Sequence, residues 1–177
     1  LSTVLCLLGN GCYLNSGGQN SAFLVKRYSS LADLRRDSTL VARGSIVAVV
    51  GLDKSRNITQ FAFRITRVIV GDLTGSTAVI RIYHSPPYII LLQHNGGLLY
   101  DPPMQVGDEL ILFMHESARV HMPEGYVVVG GPQGRFIVKS AKIYSVGDLC
   151  PEARNTTLSI QGMDESSFIA AVQEASK

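Results

Sequence analysis

Ile58-Thr59-Gln60-Phe61-Ala62-Phe63-Arg64-Ile65-Thr66-Arg67-Val68-Ile69-Val70 is the stretch whose reading decides the fold. Phe61, Phe63 and Ile65 recur at every second position, and a period of two puts them on one face of a β-strand. Gln60 and Arg64 then fall on the opposite face. Both flanks read the same way. Thr39 to Gly51 is a Val- and Ile-rich strand, and the polar turn Asp53-Lys54-Ser55-Arg56-Asn57 joins it to Ile58 as a hairpin. After the turn Gly71-Asp72-Leu73-Thr74-Gly75, Thr77 to His84 alternates as a third strand. Its Ala78, Ile80 and Ile82 share the apolar face with the phenylalanines, and Arg81 and Tyr83 share the polar one.

Further along, Ser85 to Gly107 is a long connection whose Pro86-Pro87 and Pro102-Pro103 exclude a regular central strand at those points. Tyr88 to Leu92 and Leu98 to Tyr100 are apolar enough to need cover. The expectation is that they seal an open end of the core; the alternative is a partner-binding patch edged by Tyr88, Tyr100 and Met104. Asp108 to His115 predicts a well-buried fourth strand, Tyr126 to Val129 a fifth, and Gly130 to Gly134 a turn or bulge. Arg135 to Val138 and Lys142 to Val146 predict a last short pair. Ser30 can cap a short helix through Leu31, Leu34 and Arg35, and Asp164 a C-terminal helix with Phe168, Ile169, Val172 and Ala175 on one face.

Three meandering strands, a long connector and two more strands is the order of an OB-type barrel. The expected fold is therefore mainly β: a small closed or partly open OB-like barrel of five to seven strands, with a short N-terminal helix and a C-terminal helix. A sandwich is the alternative. At 177 residues the chain is sized for one such domain, and a formal charge of +2 with scattered basic residues is no nucleic-acid footprint.

The N-terminus carries the compartment signal. Leu1 to Leu8 is an apolar run too short to span a bilayer, and it leads through Gly9-Asn10-Gly11 to Cys12. It resembles the end of a bacterial lipoprotein signal, with Gly9 standing where that pattern has a large aliphatic residue. The resemblance implies cleavage before Cys12 and lipidation of Cys12; otherwise Cys12 is free to pair with Cys150. Asn15 to Ser21 has the composition of a flexible tether. The expected division is residues 1–12 as a residual signal segment, 13–29 as a tether, and 30–177 as the single domain, exported to the cell envelope or beyond.

Leu40 to Val47, Phe63 to Gly71, Val106 to Phe113 and Gly130 to Phe136 resemble the strand motifs of exported bacterial OB-like domains, which are distantly similar to netrin and tissue-inhibitor modules. The similarity implies the barrel and leaves the task open. Inhibitors of that type start with a Cys-x-Cys pair, whereas Tyr13 and Leu14 follow Cys12, so a protease-inhibitor-like module is an alternative without its usual mechanism.

No catalytic pattern stands out: there is no Gly-x-Ser-x-Gly elbow, and the acidic pairs Asp108-Glu109 and Asp164-Glu165 are adjacent and point apart. His84, His94, His115 and His121 lack metal-ligand spacing. The expectation is a non-catalytic binding module without cofactor or metal, an enzyme of unrecognised type being the remaining alternative. OB barrels bind ligands on the face of the second and third strands and on flanking loops. That selects Lys54, Arg56, Gln60, Arg64, Arg81, Tyr83 and His121, suited to an anionic or sugar-like ligand of the envelope, glycan or protein. Nucleic acid is not expected as a partner, and the membrane only through the lipid at Cys12.

Overall fold

A computed structural model describes residues 28, 30–54, 58–73, 79–84, 90–91, 98–99, 103–117, 124–146 and 160–175. Helix α1 (Leu31–Asp37) starts at Ser30, whose Oγ accepts a hydrogen bond from the Asp33 amide at 3.1 Å, as its sequence predicts. Its buried Leu34 makes it part of the core. Ser38 ends the helix by donating its hydroxyl to the Leu34 carbonyl at 2.6 Å.

Strands β1 (Leu40–Asp53), β2 (Ile58–Val70) and β3 (Val79–His84) form the expected antiparallel meander. β4 (Ile90–Leu91) and β5 (Leu98–Leu99), inside the long connection, pair with each other. β6 (Glu109–Glu116) closes on β1 from Leu40↔Met114 to Ser45↔Glu109. Its other edge is divided: Met114–Glu116 pair with β7 (Tyr126–Val128), and Leu110–Leu112 pair with β8 (Arg135–Lys139). β7 runs parallel to β3 through Ile82↔Tyr126 and Tyr83↔Val127. The ring β1-β2-β3-β7-β6 is thereby complete, a closed five-stranded OB-like barrel without open lateral edges where the strands overlap. β9 (Lys142–Ser145) and β10 (Met163–Asp164) extend the sheet outside the ring, and helix α2 (Glu165–Glu174) follows.

A break between β7 and β8 makes the division of β6 possible. Val129 still donates to the Phe113 carbonyl at 2.8 Å, and then Gly130 (φ 67°) and Gly131 (φ 58°) take left-handed conformations that swing the chain into a 3-10 turn over Gly131–Gly134. The glycine-rich segment expected as a turn thus moves the chain from the barrel to the outer strands.

β6 is buried on both faces because it divides two cores. Leu110, Leu112 and Met114 enter the barrel with Leu40, Ala42, Ile46, Phe61, Phe63, Ile65, Ile80, Ile82 and Tyr126. Ile111 and Phe113 face outward into a second core with Leu34, Val41, Phe136, Phe168, Ile169 and Val172. There the Phe136 ring lies 5.5 Å from Phe113 and 4.8 Å from Phe168, both tilted, an arrangement aromatic quadrupoles favour. The C-terminal helix packs on the barrel through Phe168, Ile169 and Val172, while Ala175, expected on the same face, follows the helix as its C-cap. Asp164 holds its N-cap position but makes no side-chain cap; its carboxylate accepts from Lys142 Nζ at 2.8 Å instead. Met104 is 4% exposed and belongs to the barrel core rather than to a surface patch; Tyr88 and Tyr100 lie outside the described residues.

Candidate functional site

The outward face of β2 and β3 is built by register. Gln60 stands opposite Tyr83, Ala62 opposite Arg81, and Arg64 opposite Val79. Toward β1, Gly51 faces Gln60, Ala48 faces Ala62, and Ser45 faces Arg64. Paired residues share a face of the sheet, so Ala48 and Ala62 make a low floor in the middle of it. Gln60 bounds one end, with its amide carbon and Oε1 3.1 Å from where a Cβ on Gly51 would stand. Arg64 and Arg81 bound the rest. They occupy diagonal positions, a separation of roughly 7 Å between side-chain origins.

Both arginines are exposed, and neither makes an ion pair among the described residues. Gly44, buried on the inner face of β1 opposite Ile65, sets how closely the two strands approach beneath this surface. A Cβ there would overlap the Arg64 carbonyl and lie 2.8 Å from the Phe63 ring, so only glycine lets β1 approach β2 so closely.

Tyr83 plays a different part from the arginines. It is 4% exposed, its ring is covered by the chain at Gly125, and its hydroxyl donates to the Glu124 carbonyl at 3.3 Å. It walls the site by fixing the chain that enters β7 and offers no open ring for stacking. Lys54 is exposed at the far end of β1, away from the floor, beyond the exposed Val49, Val50 and Leu52. Arg56 and His121 lie outside the described residues, as do Cys12, Cys150 and Ala78. The structure therefore brings Gln60, Arg64, Arg81 and Tyr83 to one face, with Lys54 at its far margin.

Sequence reasoning missed the floor, because an alanine on a strand carries no signal until its neighbours are known. It also missed a charged junction at Arg43. The Arg43 guanidinium donates through Nε to Glu165 at 2.6 Å and through a terminal nitrogen to Glu109 at 2.9 Å, joining β1 to α2 and β6. These partners are 122 and 66 residues away in the chain, beyond any local pattern. Another buried arrangement holds the entry to the domain. The Tyr28 amide donates to Gln133 Oε1 at 2.8 Å and the Tyr28 hydroxyl donates to Asp37 at 2.8 Å.

Among the other titratable groups, His115 sits half-buried with Nδ1 3.0 Å from the Glu116 carbonyl. No group of His, Cys, Asp and Glu among the described residues is placed to hold a metal ion. The hydrogen bond and charge of Asp164 raise the pKa of the Lys142 ammonium above its usual 10.5. No helix among the described residues is long and apolar enough to cross a membrane. No protein-family model matches the chain, and no curated protein matches it significantly in sequence.

Proposed function

We propose that the chain is an exported, non-catalytic binding or assembly module of the cell envelope, attached to lipid through Cys12, and that it works through the outer face of β2 and β3. The observation that carries this reading is the pair Arg64 and Arg81, exposed and without a counter-ion among the described residues on the face OB-type barrels use for ligands. Filling of the barrel supports it. Phe61, Phe63, Ile80, Ile82, Leu110 and Leu112 occupy the interior, so a ligand is met outside the barrel. The apolar run before Cys12 and the polar stretch after it fit a signal and a tether.

Two measurements test this. Intact mass of the protein recovered from a membrane fraction, after expression behind a complete signal, is expected to show cleavage before Cys12 and added acyl chains. An unprocessed product in the cytosol would remove the export reading. A photo-crosslinker at Val79, beside Arg64, is expected to capture an envelope component on intact cells; labelling equal to that from a crosslinker at Lys139, on the outer strands, would remove the face as the working surface.

A further inference from the structure

Resting on the outer face of β2 and β3 as the binding surface, we infer that Arg64 and Arg81 together grip the acidic groups of a polysaccharide, with Gln60 meeting its hydroxyls and the Ala48–Ala62 floor seating the sugar ring. Two guanidinium groups on diagonal positions of a rigid ladder repel each other, and no carboxylate among the described residues relieves them. An anion from outside does. Guanidinium is suited to the task, since its planar fork donates two parallel hydrogen bonds to a carboxylate, sulfate or phosphate.

The surroundings select the class of ligand. Ala48 and Ala62 leave a low apolar strip beside the two arginines, and the Gln60 side chain lies over Gly51 at its end, so a sugar ring can rest against the alanines within reach of all three polar groups. The Gln60 amide offers both a donor and an acceptor at one end, which matches a hydroxyl. Nucleic acid fits poorly: single strands are held by stacking on aromatic rings, and Tyr83 is covered. A shallow, solvated pair of arginines gives weak contacts per sugar and strong salt dependence, so useful affinity comes from the repeats of a polymer.

The test titrates the full chain with a polyuronate, dextran sulfate, polyphosphate and neutral dextran, at low and high ionic strength. Expected are binding of the acidic polysaccharides, none of neutral dextran, and weakening at high salt. Arg64→Ala and Arg81→Ala should each weaken binding about tenfold, as for loss of a charge-assisted pair. Arg67→Ala, which removes an exposed arginine opposite Arg43 rather than on the floor, should leave it unchanged. Ala62→Leu fills the floor and should weaken the polysaccharides more than polyphosphate. The comparison of polyuronate with dextran sulfate tells a carboxylate from a sulfate ligand.

Equal loss in Arg67→Ala would reduce the effect to bulk charge and overturn the inference. Polyphosphate binding as tightly as the sugars, indifferent to Ala62→Leu, would overturn the polysaccharide assignment. Binding of no polymer while Val79 still crosslinks an envelope component would sink the inference and leave the face as the working surface. Failure of both would sink the two together.

Discussion

Arg43 and Arg67 stand directly opposite each other in the β1–β2 ladder, two like charges at a position where cross-strand neighbours nearly touch. Among the described residues the repulsion is met at Arg43, with which Glu165 and Glu109 both pair. Glu165→Gln should therefore destabilise the protein by about 1 kcal/mol, more than an isolated surface pair would. In an Arg67→Ala background the same substitution should cost measurably less. A double-mutant cycle by urea unfolding checks this, and equal costs in both backgrounds would show that Arg67 is not felt.

The turn between β8 and β9 puts Ser140 (φ 50°) and Ala141 (φ 58°) in the left-handed region, the geometry of a two-residue hairpin that favours Asn-Gly. Ala141→Gly should stabilise the protein by about 0.5 to 1 kcal/mol. The Ala141 carbonyl that accepts from the Glu165 amide at 2.9 Å is kept in the variant. The readout is a higher urea midpoint at unchanged slope; a lower midpoint would mean that the alanine methyl matters more than the dihedral strain.

Gln133 is fully buried, and its Nε2 has no hydrogen-bond partner among the described residues while its Oε1 holds the Tyr28 amide. Gln133→Met, close in volume, should cost about 1 to 2 kcal/mol by removing the oxygen that accepts from that amide. Exchange of the Tyr28 amide should accelerate, and trypsin should cut after Arg27 sooner. Unchanged exchange at Tyr28 would show that other contacts fix the entry to the domain.

Gly125 has φ 151°, and a Cβ there would lie 2.7 Å from the Tyr83 ring and 2.9 Å from the Arg81 carbonyl. Gly125→Ala should destabilise by about 2 kcal/mol and lower affinity for any ligand of the arginine face, because β3 must shift to make room. Thermal unfolding with a binding titration separates the two effects. Full affinity in a destabilised variant would place the shift in the loop rather than in β3.

Much of the barrel is legible in the sequence because alternation is a local property. Phe61-x-Phe63-x-Ile65 and Ile80-x-Ile82 name their own inner face, and the continuous apolar run of β6 reflects burial on both sides. What closes the ring is not local. β7 has three residues, and its parallel pairing with β3 depends on a partner more than 40 positions away, from Ile82 to Tyr126. The outer face follows the same rule: Arg64 and Arg81 declare themselves by parity, whereas the burial of Tyr83 depends on where Gly125 arrives. Asp164 shows the limit of a cap rule, since Lys142 across the ladder competes for its carboxylate.

The two-sided position of β6 has a consequence for synthesis. Ile111 and Phe113 meet Phe136, Phe168 and Val172 on the side away from the barrel, so the outer face of the central strand is fully covered only once α2 is in place. A nascent chain that already holds every barrel strand still lacks the layer that shields β6. A chain cut short before α2 should therefore expose this apolar face and aggregate more readily than the full chain.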